Sequence, residues 1–276
     1  MKYTHLLLRP GEIFLKGKNI GTFERKLVEN IKKLTLVNKV KKLRGRFIVN
    51  HFIEHEKLKT VFGLTSYSPA IKVENDLEVI KKSVLKLVEG YKKKTSFRVE
   101  TKRSDKTFPI KSPDLNVIIG KHLEENSEME FKFKNQDLTI YIEINQDGVY
   151  LFTEIVRCFG GLPTGVEGKV LLLIESSASL LAGLSFMKRG CDVIPLAYSK
   201  QDISLLQKYS PKELKLKIVK DVKELNQFAT ENHLDTLVVG DNFDNKKDYQ
   251  RDLLIFKPLI AFSDKEIEEK LEKFNF

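Results

Sequence analysis

Cysteine and tryptophan are the residues in which this sequence is poorest. Tryptophan is absent, and the two cysteines among 276 residues, Cys158 and Cys191, lie far apart. They form neither a CxxC pair nor a metal-ligand spacing, which argues against a disulfide framework and a zinc site. Cys191 follows Gly190 at a predicted strand start, where a buried thiol packed as a small apolar residue is favoured. The five histidines are scattered, and we predict no bound metal.

Long apolar runs are also missing. No run approaches the roughly 20 residues that cross a membrane, and we expect no membrane partner. The apolar stretch near the amino terminus is too short for a signal peptide and no small-residue cleavage site follows it. The hydrophobic fraction is 41%, which is enough for a buried core. We therefore expect a cytoplasmic globular protein with more than one domain.

Positive charge is abundant but unevenly placed. Residues 1–75 contain 16 Lys and Arg against 6 Asp and Glu, whereas residues 76–165 contain 15 against 14 and residues 166–276 contain 17 against 18. The whole formal excess of +10 is therefore confined to the first quarter of the chain. A general compositional bias would spread evenly, so a localised basic surface favours a nucleic-acid partner.

Apolar periodicity divides the chain into three predicted domains. Strands and helices follow one another in residues 1–75 and again in residues 76–165, which is typical of α+β domains. Residues 166–276 alternate strand and helix, which predicts an α/β domain with a doubly wound parallel sheet. A Ser263-x-x-Glu266 capping box marks the last helix.

A basic segment, FRVETKRSDKTFPIKSPDLN at residues 97–116, joins a predicted strand to a helix with Ser112 as its expected N-cap and Pro113 at its first position. Lys102, Arg103, Lys106 and Lys111 can neutralise phosphates, and the helix start supplies N–H donors. Phe108 would stack on an unpaired base or pack beneath the loop; the residues alone leave both open. The predicted RNA-binding residues are Lys16, Lys18, Lys102, Arg103, Lys106, Phe108, Lys111 and Lys121.

A possible nucleotide loop lies in the third domain. The apolar run Val170–Ile174 reads as a buried strand, and a turn of small residues joins it to a predicted helix over residues 179–188. A strand, tight turn and helix in this order is the usual geometry for holding a phosphate, because N–H groups at the helix start point at the anion.

Several motifs together resemble the tRNA 4-thiouridine synthetase (tRNA sulfurtransferase) family. They are GGLP, GKVLLL, MKRG and VIPL between residues 160 and 196, the opening segment GEIFLKGKN at residues 11–19, and the KRSDKTFP string. The resemblance implies a ferredoxin-like domain over residues 1–75, a THUMP RNA-binding domain over residues 76–165 and a pyrophosphatase-type (Rossmann-like) domain over residues 166–276. It further implies tRNA as the partner, bound at its acceptor end, and leans towards a homodimer.

The family's ATP loop, Ser-Gly-Gly-x-Asp-Ser, is degenerate here. It falls on Ile174, Glu175, Ser176, Ser177, Ala178 and Ser179. Only Ser179 matches, since both glycines and the aspartate are replaced. Glu175 would also bring a carboxylate towards a polyphosphate, a repulsion of about 3–4 kcal/mol at ~4–5 Å and an effective dielectric near 20. We therefore predict no catalytic residue and no cofactor.

Three functions stay open on the sequence alone. The favoured one is a tRNA-binding protein of this family, catalytically inactive and acting in tRNA modification, with a separate catalytic chain as a possible partner. The second is an active ATP-dependent sulfurtransferase with an atypical loop, which would need ATP and magnesium. The third is a basic scaffold for protein interactions. Nucleotide binding separates the first two, and salt-dependent RNA binding separates both from the third.

Overall fold

A computed structural model describes residues 2–92, 94–249 and 253–276, apart from the side chains of residues 14–16. The chain forms two compact units, each made of three stretches that are separate in the sequence. Unit 1 contains Met1–Arg9, Lys39–His55 and Ser66–Arg157. Unit 2 contains Pro10–Asn38, Glu56–Thr65 and Cys158–Phe276. The domain boundaries at residues 75 and 165 stay a prediction.

The strands and helices alternate in an order that the apolar periodicity largely anticipates. The strands are β1 (His5–Pro10), β2 (Lys41–Leu43), β3 (Arg46–Asn50), β4 (Leu64–Val73), β5 (Ser96–Arg103), β6 (Glu130–Phe131), β7 (Leu138–Asn145), β8 (Gly148–Phe152), β9 (Val156–Arg157), β10 (Lys169–Leu173), β11 (Asp192–Ala197), β12 (Lys217–Ile218), β13 (Thr236–Val238) and β14 (Leu254–Phe256). The α-helices are α1 (Ile20–Thr35), α2 (Leu77–Val88), α3 (Ser112–Asn126), α4 (Ser177–Lys188), α5 (Ser204–Tyr209), α6 (Val222–Glu231) and α7 (Asp264–Glu272).

Unit 1 is built on a mixed sheet. The strand order is β2-β3-β1-β4-β8-β7-β5-β6, with β9 beside β4. Strand β5 runs parallel to β6 and β7, whereas β7 and β8 form an antiparallel hairpin. Helices α2 and α3 bury their apolar faces against β5, β7 and β8 in one core that includes Ile80, Leu115, Val99 and Ile142. This arrangement confirms the predicted α+β amino-terminal half.

Unit 2 contains a parallel sheet of order β12-β11-β10-β13-β14. Alternate residues of β10 face opposite sides: Leu172 joins the core formed with α4, α5 and α7, and Leu171 joins the core formed with α6. Burial on both faces explains why β10 reads as a continuous apolar run rather than an alternating one. The predicted doubly wound α/β domain is confirmed.

Local differences from the sequence expectations have simple causes. The family-like segment at residues 11–19 contains a 3-10 helix, Glu12–Asn19, interrupted at Gly17, whose φ is +51°. Helix α3 starts one residue early, so Lys111 rather than Ser112 is its N-cap, and no side chain caps it. Proline in the first turn fixes φ for the helix without needing a cap.

Candidate functional site

The loop between β5 and α3 is fixed by hydrogen bonds at its start. The N–H groups of Ser104 and Asp105 both donate to the Ile144 carbonyl oxygen, at 2.8 and 3.4 Å. The Asp105 carboxylate accepts from the N–H and the hydroxyl of Thr107, at 2.9 and 2.7 Å. These two bonds from Thr107 hold the pKa of Asp105 below its usual value. These hydrogen bonds give the loop a defined backbone.

Arg103 holds the far side of the same loop. Its Nη1 donates to the carbonyl oxygens of Phe108 and Ile110, at 2.6 and 3.0 Å. The Phe108 side chain is only 3% exposed and belongs to the core under α3. Its burial contradicts a stacking role on a base, because a ring inside the core presents no face to a ligand. Arg103 and Phe108 position the loop.

The predicted lysines lie on the surface. Lys102, Lys106, Lys111 and Lys121 in unit 1 are exposed, and so is Lys18 in unit 2. The first three belong to the loop and its flanks, whereas Lys121 lies two turns into α3. The Lys16 side chain lies outside the described part of the chain. An RNA-binding role for these lysines stays a prediction.

The turn between β10 and α4 closes on itself. The Glu175 N–H donates to the Ser179 hydroxyl oxygen at 3.2 Å, and the Ser179 N–H donates to the Ser176 carbonyl oxygen at 3.1 Å. Ser179 is buried at 2% exposure. Two backbone donors that a phosphate would need are therefore committed within the turn.

Gly240 packs directly against this turn. A methyl group at Gly240 would lie 2.5 Å from the Ser179 backbone nitrogen and 2.8 Å from the Ala178 carbonyl carbon. Only glycine allows such a close approach of two backbones. The segment after β13 thus forms the second wall of a cleft of about 340 Å³ above the turn.

Carboxylates dominate the walls of this cleft. Among the residues that the structure describes, Glu175, Asp241, Asp264 and Glu268 line it together with one ammonium group, that of Lys247. Lys247 Nζ lies 3.1 Å from Glu175 Oε1. The Glu175 carboxylate is therefore paired with Lys247. This pairing corrects the expectation from the sequence that an unpaired Glu175 would repel a polyphosphate. Ile174, the first residue of the degenerate loop, is buried and does not line the cleft.

Asp241 is the most constrained acid in the cleft. Burial acts to raise its pKa, but hydrogen bonds from the Lys247 N–H, the Tyr249 hydroxyl and Lys257 Nζ hold the pKa below the usual value. Lys257 Nζ lies 2.9 Å from Asp241 Oδ2. Asp241 therefore remains ionised and shapes the segment that follows β13.

Sequence comparison identifies two domain families in the first half of the chain. The ThiI ferredoxin-like domain matches residues 5–68, and the THUMP domain matches residues 74–154. A probable tRNA sulfurtransferase from Natranaerobius thermophilus is 38% identical over 214 residues, covering 71% of this chain and 52% of the relative. A counterpart from Oceanobacillus iheyensis is 42% identical over 200 residues, covering 69% of this chain and 50% of the relative.

Solved structures extend the similarity to the whole chain. A 4-thiouridine synthetase in complex with RNA and bound ATP matches with a TM-score of 0.81 and 25% identity, covering 99% of this chain and 85% of that chain. A Pyrococcus horikoshii Ot3 protein matches with a TM-score of 0.86 and 27% identity, covering 99% of this chain and all of that chain. The chain belongs to the tRNA sulfurtransferase family. It spans about half the length of the curated relatives named above.

Both cysteines are free thiols that are partly buried. Burial raises the pKa of the Cys158 thiol to about 12, although Lys59 opposes the shift. Burial also raises the pKa of Cys191, as do the nearby carboxylates of Glu167 and Asp192. Both thiols are therefore protonated at neutral pH, and a protonated thiol is a weak nucleophile.

The described residues show neither a metal-ligand cluster nor a membrane-spanning helix. Across residues 2–92, 94–249 and 253–276, no three His, Cys, Asp or Glu side chains are grouped as metal ligands would be. No helix in these ranges is long and apolar enough to cross a membrane. The absence of a resident metal and cofactor stays a prediction.

Sequence reasoning missed the residues that complete the cleft. Nothing in the sequence near Lys247 links it to Glu175, which lies 72 residues earlier in the chain. Gly240 and Asp241 lie just after β13. Parallel topology places the carboxyl ends of β10 and β13 side by side, which could have indicated that these two residues lie beside the loop.

Proposed function

We propose that this chain is a tRNA-binding protein of the sulfurtransferase family that acts in tRNA modification and does not itself catalyse sulfur transfer. The observation that carries the binding role is the loop held by Arg103. Two bonds from Arg103 and two from Thr107 fix a backbone that bears Lys106 and is flanked by Lys102 and Lys111. The loop lies within the THUMP match. A loop backbone that is already ordered lowers the cost of placing its lysines on phosphates.

The acceptor end of tRNA is the proposed target. Support comes from the related 4-thiouridine synthetase, which was solved with RNA. The excess positive charge of residues 1–75 adds a long-range attraction for a polyanion. We propose a cytoplasmic location, where tRNA is modified.

Loss of catalysis is proposed from the turn before α4. Glu175 and Ser179 use their backbone donors inside the turn, and the cleft has four carboxylates on its walls. Ala178 supplies no carboxylate for magnesium. Even if ATP does not bind at the turn before α4, the loop in unit 1 can still bind tRNA. In that case a separate catalytic chain would carry out the reaction in a heteromer with this protein. Alternatively, the protein would form a homodimer that binds tRNA without catalysis.

Binding is tested by fluorescence anisotropy with labelled tRNA over a series of salt concentrations. We expect a log–log slope that grows by roughly 0.7–0.9 per phosphate contact. Alanine at Lys102, Lys106 and Lys111 together should weaken binding at least tenfold. The matched control replaces three other exposed lysines of the THUMP match, Lys82, Lys132 and Lys134, and should have a smaller effect. Equal effects would show that only total charge matters.

Absence of catalysis is tested by calorimetry with magnesium and ATP, with and without tRNA. We expect no micromolar binding and no tRNA-dependent release of pyrophosphate. Either signal in contaminant-free protein would overturn the non-catalytic proposal and favour the active sulfurtransferase. Light scattering of the same sample gives the oligomeric state, and co-purification from the native source identifies any catalytic partner.

A further inference from the structure

The turn between β2 and β3 brings a second arginine to the edge of unit 1. Leu43 pairs with Arg46, so Arg44 and Gly45 form a two-residue hairpin turn. Gly45, the second central residue, has a φ of +74°, a left-handed conformation that glycine adopts without strain. Arg44 is exposed at the tip. The turn therefore presents a guanidinium on a backbone of fixed shape.

Arg46 fastens this turn to the middle of the sheet. Its Nε and Nη2 donate to Oε1 and Oε2 of Glu143, at 2.8 and 3.1 Å, and its Nη1 donates to the Gly45 carbonyl oxygen at 2.7 Å. Glu143 lies on β7 and is 5% exposed. A bidentate pair of this kind fixes both distance and angle. Arg46 thus neutralises the buried carboxylate and sets the position of the turn.

Lys102 occupies the β5 position directly beside Glu143 in the parallel ladder. The hairpin turn, Lys102 and Ser104 consequently line one pocket of about 240 Å³. Its charged lining consists of Arg44, Arg46 and Lys102 against Glu143. Since Arg46 balances Glu143, Arg44 and Lys102 leave two positive charges facing the cavity.

A buried amide in the same lining also lacks an acceptor. The Asn145 Oδ1 accepts from the Asp147 N–H at 2.9 Å, which fixes the orientation of the amide. The Asn145 side chain is buried at 5% exposure, and its Nδ2 has no hydrogen-bond partner among the described residues. A buried donor without an acceptor is unfavourable, so this amide is a weak point in the wall of the pocket.

We propose that this pocket binds a backbone phosphate of RNA, with Arg44 and Lys102 as its two cationic ligands. The inference rests on the proposed tRNA binding and adds a contact from residues 39–55 that no basic motif indicated. Arg44 binds two phosphate oxygens through its planar fork, and Lys102 contributes a point charge. A size of about 240 Å³ suits one phosphate group and its water, not a folded protein segment.

The test compares Arg44→Ala, Lys102→Ala and the double variant in tRNA binding. Each single variant should lose about fivefold to twentyfold in affinity. Because both cations contact one phosphate, the double variant should lose less than the product of the two factors. Its salt slope should fall by about one phosphate contact, roughly 0.7–0.9, rather than two. Arg189→Ala in unit 2 removes the same charge and should change affinity less than twofold.

Circular dichroism melts exclude loss of folding as the cause. Titration of labelled protein with inorganic phosphate, followed by amide NMR shifts at residues 43–46 and 102–104, distinguishes RNA phosphate from the free anion. We expect shifts only at millimolar phosphate and displacement by tRNA. If the wild-type protein binds tRNA and Arg44→Ala matches Arg189→Ala, this inference is overturned while the proposed function stands. If the wild-type protein does not bind tRNA, the proposed function fails first.

Discussion

Replacing Gly240 with alanine tests the geometry of the cleft most directly. The added methyl group would meet three backbone atoms of the α4 start: the Ser179 nitrogen at 2.5 Å, and the Ala178 carbonyl carbon and Ser179 Cα, each at 2.8 Å. Ordinary contact of a methyl group begins near 3.4 Å. Backbone cannot rotate away as a flexible side chain can, so the two segments must separate by close to 1 Å.

The expected cost follows from the size of that displacement. Overpacking of a rigid site destabilises proteins by about 1–3 kcal/mol, and a clash with backbone belongs at the upper end of that range. Urea unfolding followed by tyrosine fluorescence measures the free energy of unfolding, since tryptophan is absent. Hydrogen exchange at residues 174–181 should rise at the same time, because the bonds between Glu175, Ser176 and Ser179 loosen.

Gly120→Ala is the matched control. Gly120 lies inside α3, and a methyl group there would meet nothing within 4 Å. Alanine is a better helix former than glycine by about 0.5–1 kcal/mol, so this variant should be slightly more stable than the wild type. If Gly240→Ala is also as stable as the wild type, the close approach does not exist and the cleft has a different shape.

Further predictions concern the loop and one half-buried acid, Asp147. Introducing the two glycines and the aspartate of the family loop, with Glu175→Gly, Ser176→Gly and Ala178→Asp, should create magnesium-ATP binding that calorimetry can measure. Glu175→Gln alone should not. ATP binding by that single variant would show that the charge of Glu175, not the backbone shape, prevents ATP binding. Asp147→Asn should lower the free energy of unfolding at pH 7 by about 1–2 kcal/mol, after allowance for its partly exposed lysine partners. Burial acts to raise the pKa of Asp147, but hydrogen bonds from Lys41, Tyr150 and Lys72 lower it from 3.8 to about 2. The stability that ionised Asp147 contributes is therefore fully present above its unfolded-state pKa of 3.8 and is lost as the pH falls towards about 2. The free energies of unfolding of wild type and variant, measured in urea, should converge at about pH 2.

Local features of the fold could be read from the sequence because their causes are local. The capping box is present in full: the Ser263 hydroxyl accepts from the Glu266 N–H, and the Glu266 carboxylate accepts from the Ser263 N–H. The apolar run of β10 was predicted within one residue at each end. Periodicity, turn chemistry and caps act over a few residues, and they indicated most of the elements in their order.

Contacts between distant segments could not be predicted in this way. Residues 10–38 and 56–65 belong to the same compact unit as residues 158–276, whereas charge and periodicity grouped them with the neighbouring amino-terminal elements. Phe62 illustrates the reason, because its ring stacks on Tyr209 at 5.4 Å between centroids, almost 150 residues away in the chain. A protein truncated after residue 165 would leave Phe62 without this partner.

The cleft also changes the physical explanation for the proposed loss of catalysis. Electrostatic repulsion from Glu175 is the obstacle that the sequence indicates, yet Lys247 pairs with this carboxylate. Both partners are partly exposed, at 29% and 56% for the side chains, and such pairs contribute only about 0–1 kcal/mol. Backbone shape is the stronger barrier, because the Glu175 and Ser179 donors are already used and serine replaces the glycine that lets a phosphate approach.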